Sequence, residues 1–262
     1  MDTVELHIAS GDMGLGSIPK SLARTIVPWR EALADGPVTR NTADLIHLRK
    51  RFVERAYSST PEEYSQRIED TLHTITQHSW ESVTLHFDAD LFCVVNAMFL
   101  VAQVSRVPSL TWQLPTVAIN LTALDRAFIA SCWNAYAGSD PTLLEELLPQ
   151  APSRLRFIAA AMRSHLERFP NVRTKLGKPQ EIVREILDRG LTENVDVINA
   201  FIALDANEYG WGDVQILREL RMLRAIESGA PVRIELGGVS QSTAQSYWQW
   251  DPRAGRVRMS DT

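Results

Sequence analysis

The sequence predicts an α/β fold: an N-terminal, mostly parallel sheet flanked by helices, then a helical segment and a small winged-helix-like C-terminal domain. Three observations lead there. Residues 4–8 (VELHI) alternate apolar and polar side chains and run straight into a Gly-rich turn. Residues 82–87 repeat the strand pattern and are followed at once by a long apolar segment, 90–105. From Leu121 onward the pattern becomes helical. Strands that alternate with helices call for a parallel sheet across residues 1–120.

In chain order, the turn after the first strand is Gly11-Asp12-Met13-Gly14-Leu15-Gly16-Ser17, and Ser17 with Pro19 reads as the opening of a helix. Residues 25–27 form a second short apolar piece, followed by Trp29-Arg30-Glu31 and a turn at Asp35-Gly36-Pro37. Residues 42–57 and 61–77 read as polar-faced helices, the second capped from Thr60. The 90–105 segment is apolar nearly all round, as expected of a helix packed inside a domain. Residues 116–119 read as a further strand. In 153–168, Leu155, Ile158, Ala159, Met162 and Leu166 make one apolar stripe, and Phe169-Pro170-Asn171 ends it. Lys175-Leu176-Gly177-Lys178-Pro179 reads as a linker, which divides the chain into 1–172 and 178–262. Helices near 180–189, 194–206 and 213–227, then strands at 231–236 and 247–250, give the helix-helix-helix-hairpin order of a winged helix.

Composition narrows the function classes. Of 262 residues 45% are hydrophobic and 23% charged, ordinary globular proportions that exclude disordered and collagen-like chains. Lys and Arg number 27 against 32 Asp and Glu, net −5, so the overall field does not favour nucleic acid or anionic lipid, and neither nucleic acid nor membrane is expected as a partner. The start lacks the basic and apolar regions of a signal peptide, and a cytoplasmic location is the expectation. Cys93 and Cys132 lie apart in apolar segments and read as buried reduced thiols. No GxSxG, SxxK or HExxH motif supports a common hydrolase class.

Three stretches could carry chemistry. The 11–17 loop follows a strand, where glycines let backbone N–H groups approach an anion, so Gly11, Asp12, Gly14, Gly16 and Ser17 are candidate ligand-binding residues. A tight turn whose glycines only permit the required φ angles is the competing reading, since the loop is neither a Walker A nor a GxGxxG motif. Arg30 could bind a phosphate or carboxylate, with Trp29 stacking beside it. His86-Phe87-Asp88-Ala89-Asp90 closes a strand; extended, it would put His86, Asp88 and Asp90 on one face. That arrangement makes Asp88 and Asp90 candidate acid/base groups, with Glu31 beside Arg30 a third candidate, and His86, Asp88 and Asp90 candidate metal ligands. Helix capping by Asp88 or Asp90 is the simpler reading. On the helix at 213–227, Arg218, Arg221 and Arg224 would suit a recognition helix, but Glu219 and Glu227 share it.

The order His7-Ile8, Gly11-Asp12, Gly16-Ser17, Arg30-Glu31, Gly36-Pro37 and residues 86–96 resembles a bacterial domain-of-unknown-function family, the one numbered eighteen thirty-five. Members often carry a second, uncharacterised C-terminal domain, and the later pieces Cys132-Trp133-Asn134-Ala135-Tyr136, Asp140-Pro141 and Gly212-Asp213 are similar to that two-domain arrangement. The family's second block reads Trp-Phe-Glu-His-Asp-Leu, with a glutamine before a Val-Asn pair. Here residues 86–91 read HFDADL and the glutamine position is Val94, so the resemblance implies a site that has lost two polar groups. The sequence thus supports two expectations. One is a phosphate-bearing small molecule or nucleotide bound at the Gly-rich loop, with the cofactor and any turnover left open. The other is a non-catalytic interaction protein whose C-terminal domain contacts a protein or DNA partner.

Overall fold

Strand β1, Glu5–Ser10, is the pivot of the chain, as the alternation of apolar residues predicts. In this computed structural model the described residues are 5–19, 21–22, 26–77, 79–205 and 208–260. After β1 come a single helical turn, α1 at Gly11–Gly14, and a 3-10 turn at Leu15–Ser17. The helix expected to open at Ser17 is therefore displaced: the turn winds immediately after β1, and Ile18 returns to extended backbone. Gly11 has φ +64°, a left-handed conformation that a glycine adopts without strain and that lets the strand fold straight into α1.

Strands β2, Ile26–Trp29, and β3, Gly36–Pro37, lead to α2, Thr42–Tyr57. The Thr60 capping box opens α3, Pro61–Tyr64, which passes through one π-helical turn, Ser65–Glu69, into α4, Asp70–Gln77. β4, Ser82–His86, is followed by α5, Leu91–Gln103. β5, Ser109–Gln113, β6, Ala118–Asn120, and α6, Ala123–Tyr136, complete the first part. The helices that follow are α7 (Thr142–Leu147), α8 (Arg156–Leu166), α9 (Lys178–Asp188), α10 (Asn194–Asp205) and α11 (Asp213–Glu227). β7 (Arg233–Gly237), β8 (Val239–Ser242), β9 (Trp248–Asp251) and β10 (Arg256–Met259) end the fold.

The main sheet has the order β2-β1-β4-β5-β6, with β2, β1, β4 and β5 parallel and β6 antiparallel. Register puts Leu6 beside Val83 and Val83 beside Leu110; Ile8 beside Leu85 and Leu85 beside Trp112. All of these are buried, so one face of the sheet is wholly apolar. The other face carries His7, Thr84 and Thr111 in one row and Ala9, His86 and Gln113 in the next. Helix α5, in which residues 93–101 are all buried, packs against α6 and α8. Its N-cap is Asp90, whose carboxylate accepts from the Cys93 amide at 2.8 Å. No helix among the described residues is long and apolar enough to cross a membrane.

The chain divides less cleanly than the sequence suggests. Leu176 and Gly177 of the expected linker are buried, and a side chain on Gly177 would collide with the Arg168 carbonyl. Val172 donates to the Trp250 carbonyl at 2.9 Å and Trp250 donates to the Pro170 carbonyl at 3.0 Å. β3 extends the C-terminal sheet β3-β7-β8 by pairing in parallel with β7, and the Val38 amide donates to the Gly237 carbonyl at 2.9 Å. Arg168 donates to the Ala34 carbonyl at 2.7 Å, Gln215 donates to the Tyr57 hydroxyl at 2.6 Å, and Arg218 pairs with Asp35. A single continuous core joins buried residues from Leu6 to Val257. Residues 1–172 and 178–262 are therefore halves of one packed body, because the segment that should have been a linker is itself pinned on both sides.

Candidate functional site

The chain runs from β1 to β2 on one side, then returns to β4 on the other, so the direction of winding reverses between β1 and β4. In open parallel sheets the loops diverge at such a point and leave a crevice outside the carboxyl ends of the strands. A cleft of about 940 Å³ lies there, lined by the ends of β1 (Ser10), β4 (His86) and β5 (Gln113) and by the loops that follow them. It gathers Gly11, Asp12 and Gly14 from the first candidate stretch and His86, Asp88 and Asp90 from the second. Gly16 is exposed and is not among the lining residues, and a side chain there would meet nothing within 4 Å. The side chain of Ser17 lies outside the described residues.

Asp88 is exposed and Asp90 is partly buried. Their carboxylates and the Cys93 thiol lie within 4.8 Å of one another, a set that could hold a cation. His86 is not in that set, so the expected His86–Asp88–Asp90 grouping is replaced by one built around the helix cap. The reason is local: the strand ends at His86, and the first turn of α5 brings Cys93, three residues past its cap, back over Asp90. Burial raises the Asp90 carboxyl above the ordinary aspartate value, against the bond from Cys93. Burial, then the neighbouring Asp90 charge, also pushes the Cys93 thiol up, so it is held as a thiol 3.3 Å from the Ser10 hydroxyl.

The start of α5 is closed to an anion. The amides of Leu91 and Phe92 donate to the carbonyls of Glu208 and Tyr209 at 2.9 and 3.0 Å, and Asp90 takes the Cys93 amide. The segment arrives through Gly210, φ +65°, packed directly against the Asp90 carboxylate, where any Cβ would collide. With its first three amides engaged, this helix end offers no free donors to a phosphate.

On the polar face of the sheet, His7 Nδ1 lies 3.0 Å from His86 Nε2, and one ring donates to the other. His7 Nε2 is 4.0 Å from a Glu5 carboxylate oxygen. Burial, followed by the proximity of His7, lowers His86 to about 4. Burial lowers His7 as well, opposed by Glu5. Both rings are neutral near pH 7, and His86 presents a neutral polar edge to the cleft.

Two expected ligand groups face each other instead. Arg30 Nη2 is 2.7 Å from Asp12 Oδ1, and its Nε bonds both carboxylate oxygens at 3.0 Å. Asp12 lines the large cleft, while Arg30 lines a different, smaller cavity. Glu31, the third acid/base candidate, is 3% exposed and wholly engaged. It receives Arg49 Nε and Nη2 at 2.9 Å each and the Tyr64 hydroxyl at 2.8 Å. Both carboxylate oxygens are thus taken, and the charge of Glu31 neutralises the fully buried Arg49. On the expected recognition helix, Glu219 is buried and Arg218 pairs with Asp35, whereas Arg221 and Arg224 are exposed.

Ser10, Cys93, Gln113 and Gly210 are among the cleft residues that sequence reasoning misses. Only Cys93 left a usable signal, three residues after an aspartate at a helix start. The chain matches no protein-family model, no curated protein and no solved structure.

Proposed function

We propose that this protein binds a phosphate-bearing small molecule, such as a nucleotide, as its complex with a divalent cation in the cleft between β1 and β4. The observation that carries this reading is the pair of adjacent carboxylates, Asp88 and Asp90, at the point where the parallel sheet reverses its winding. The lining acids are Asp12, Asp88 and Asp90, with no Arg or Lys among the described lining residues. A bare phosphate entering there would be repelled, whereas a hard cation on one or two carboxylates characteristically recruits phosphate oxygens to its open positions. The α1 turn and Ser10 then line the side on which the rest of the ligand would lie. On the motifs quoted above, we also propose kinship with the family numbered eighteen thirty-five.

The test is thermal unfolding with Mg²⁺ or Mn²⁺, with ADP or ATP, and with both together. The cation and nucleotide together should raise the melting temperature more than the sum of either alone. A ligand at a hundred times its Kd adds about 2.7 kcal/mol. Asp88→Asn should abolish the gain while leaving the unliganded melting temperature unchanged, because Asp88 is exposed and caps nothing. No shift with any combination, or the same shift in Asp88→Asn, overturns the reading.

A further inference from the structure

A second cavity, of about 280 Å³, lies where residues 30–32 meet α2 and the π-helical turn. Val53 and Ile68 give it an apolar wall, and Tyr57 and Tyr64 add two rings. Those rings are fixed by their hydroxyls, which donate to Asp35 at 2.6 Å and to Glu31 at 2.8 Å. The cavity therefore keeps its shape without a ligand, the usual condition for a small-molecule pocket.

Its charge is unbalanced. Glu31 is neutralised by Arg49, and Arg30 by Asp12. Arg67 is the remaining charged residue of the lining, and no carboxylate among the described residues lies within ion-pair distance of it. Its positive charge is felt by Asp12 and Glu63, whose carboxyls it helps to hold low, but neither is its partner. Arg30 bonds Asp12 through Nε and Nη2 alone, so its Nη1 is not engaged by that pair. Arg67 sits in the π-helical turn itself, a distortion rare in helices and concentrated at functional positions.

We infer that this cavity is a binding site for a small organic anion, an apolar or aromatic body carrying a carboxylate or phosphate, with the head group on Arg67 and Arg30. The body would pack between Val53, Ile68 and the tyrosine rings, and a guanidinium suits either head group because it donates in a planar fork. This site does not depend on the reading of the cleft proposed above, with which it shares no lining residue: Asp12 lines the cleft, and its partner Arg30 lines this cavity.

The probes are benzoate, phenyl phosphate and the neutral benzamide, titrated into the full chain and followed by amide chemical-shift changes in two-dimensional NMR. Benzoate or phenyl phosphate should move resonances of residues 53–68 saturably, and benzamide should bind at least about tenfold more weakly. Which anion binds tighter tells carboxylate from phosphate recognition. Arg67→Ala should weaken the anion at least about tenfold, and Arg67→Lys should recover part of the loss. Arg67 is exposed and unpaired, so both variants should fold. Asp88→Asn should leave this binding unchanged, which separates failure here from failure of the cleft. No saturable shift up to about 10 mM, equal binding of benzamide, or wild-type affinity in Arg67→Ala overturns the inference.

Discussion

Replacing His86 with glutamine should flatten the acid limb of the stability curve, by an amount the geometry sets. In the folded protein His86 meets His7 at 3.0 Å and is half enclosed, and its imidazole falls from 6.5 to about 4. A histidine whose folded value lies below its unfolded value is protonated first in the unfolded chain. Its neutral form therefore costs nothing above pH 6.5, and stability is lost progressively as pH falls from 6.5 toward 4. Taken in full, that difference removes about 2.4 kcal/mol between pH 7 and pH 4.5. The ring is partly open to solvent, which screens the effect, so about 1–2 kcal/mol is expected. Glutamine cannot titrate, and its amide can still reach His7. Urea unfolding followed by tryptophan fluorescence at steps from pH 7 to pH 4.5 supplies both curves. Every titrating group that does not touch His86 contributes to both and cancels in the difference, which leaves His86 and its coupling to His7. Curves that stay parallel within about 0.5 kcal/mol would show that the pair is not the buried neutral couple described above.

Glu31→Gln should destabilise the protein by about 3–5 kcal/mol in urea, because it leaves the fully buried Arg49 charge without its counter-ion; a loss under about 1 kcal/mol would return Glu31 to the list of functional candidates. Residues 1–172 expressed alone should fail to unfold cooperatively, since the cut removes β7 from β3 and the partners of Asp35 and Tyr57. A soluble fragment with a single sharp transition would restore the two-domain division.

How much of this was readable depends on how local the determinants are. β1, β4, α5 and the three C-terminal helices follow from periodicity within the segment, and the structure places them within a few residues of expectation. The Thr60 box forms because its partners are three residues apart. β5 is invisible because SLTWQ is short, sits between prolines, and takes its meaning from Leu110 and Trp112 lying in register with β4. β3 is two residues long and exists only because β7 is there to receive it. The π-helical turn left no mark in a stretch that reads as one helix. Gly210 reaches Asp90 across more than a hundred residues, a contact that no window of sequence contains.

The site shows the same limit in its electrostatics. Asp12 and Arg30 both carry the residue types that bind phosphates, and each stands beside a strand end, so the sequence makes both into ligand groups. Folding brings the two strand ends together, β1 beside β2 with Ser10 opposite Trp29, and the nearest unlike charge to each is then the other. An aspartate and an arginine in bidentate contact satisfy one another before any solute arrives. In the two sites proposed above, recognition rests on what is left over: Asp88 and Asp90 in the cleft, and in the neighbouring cavity Arg67 together with the Arg30 Nη1 that Asp12 does not engage. The residue types were in plain view; which of them remained unpaired was a property of the fold.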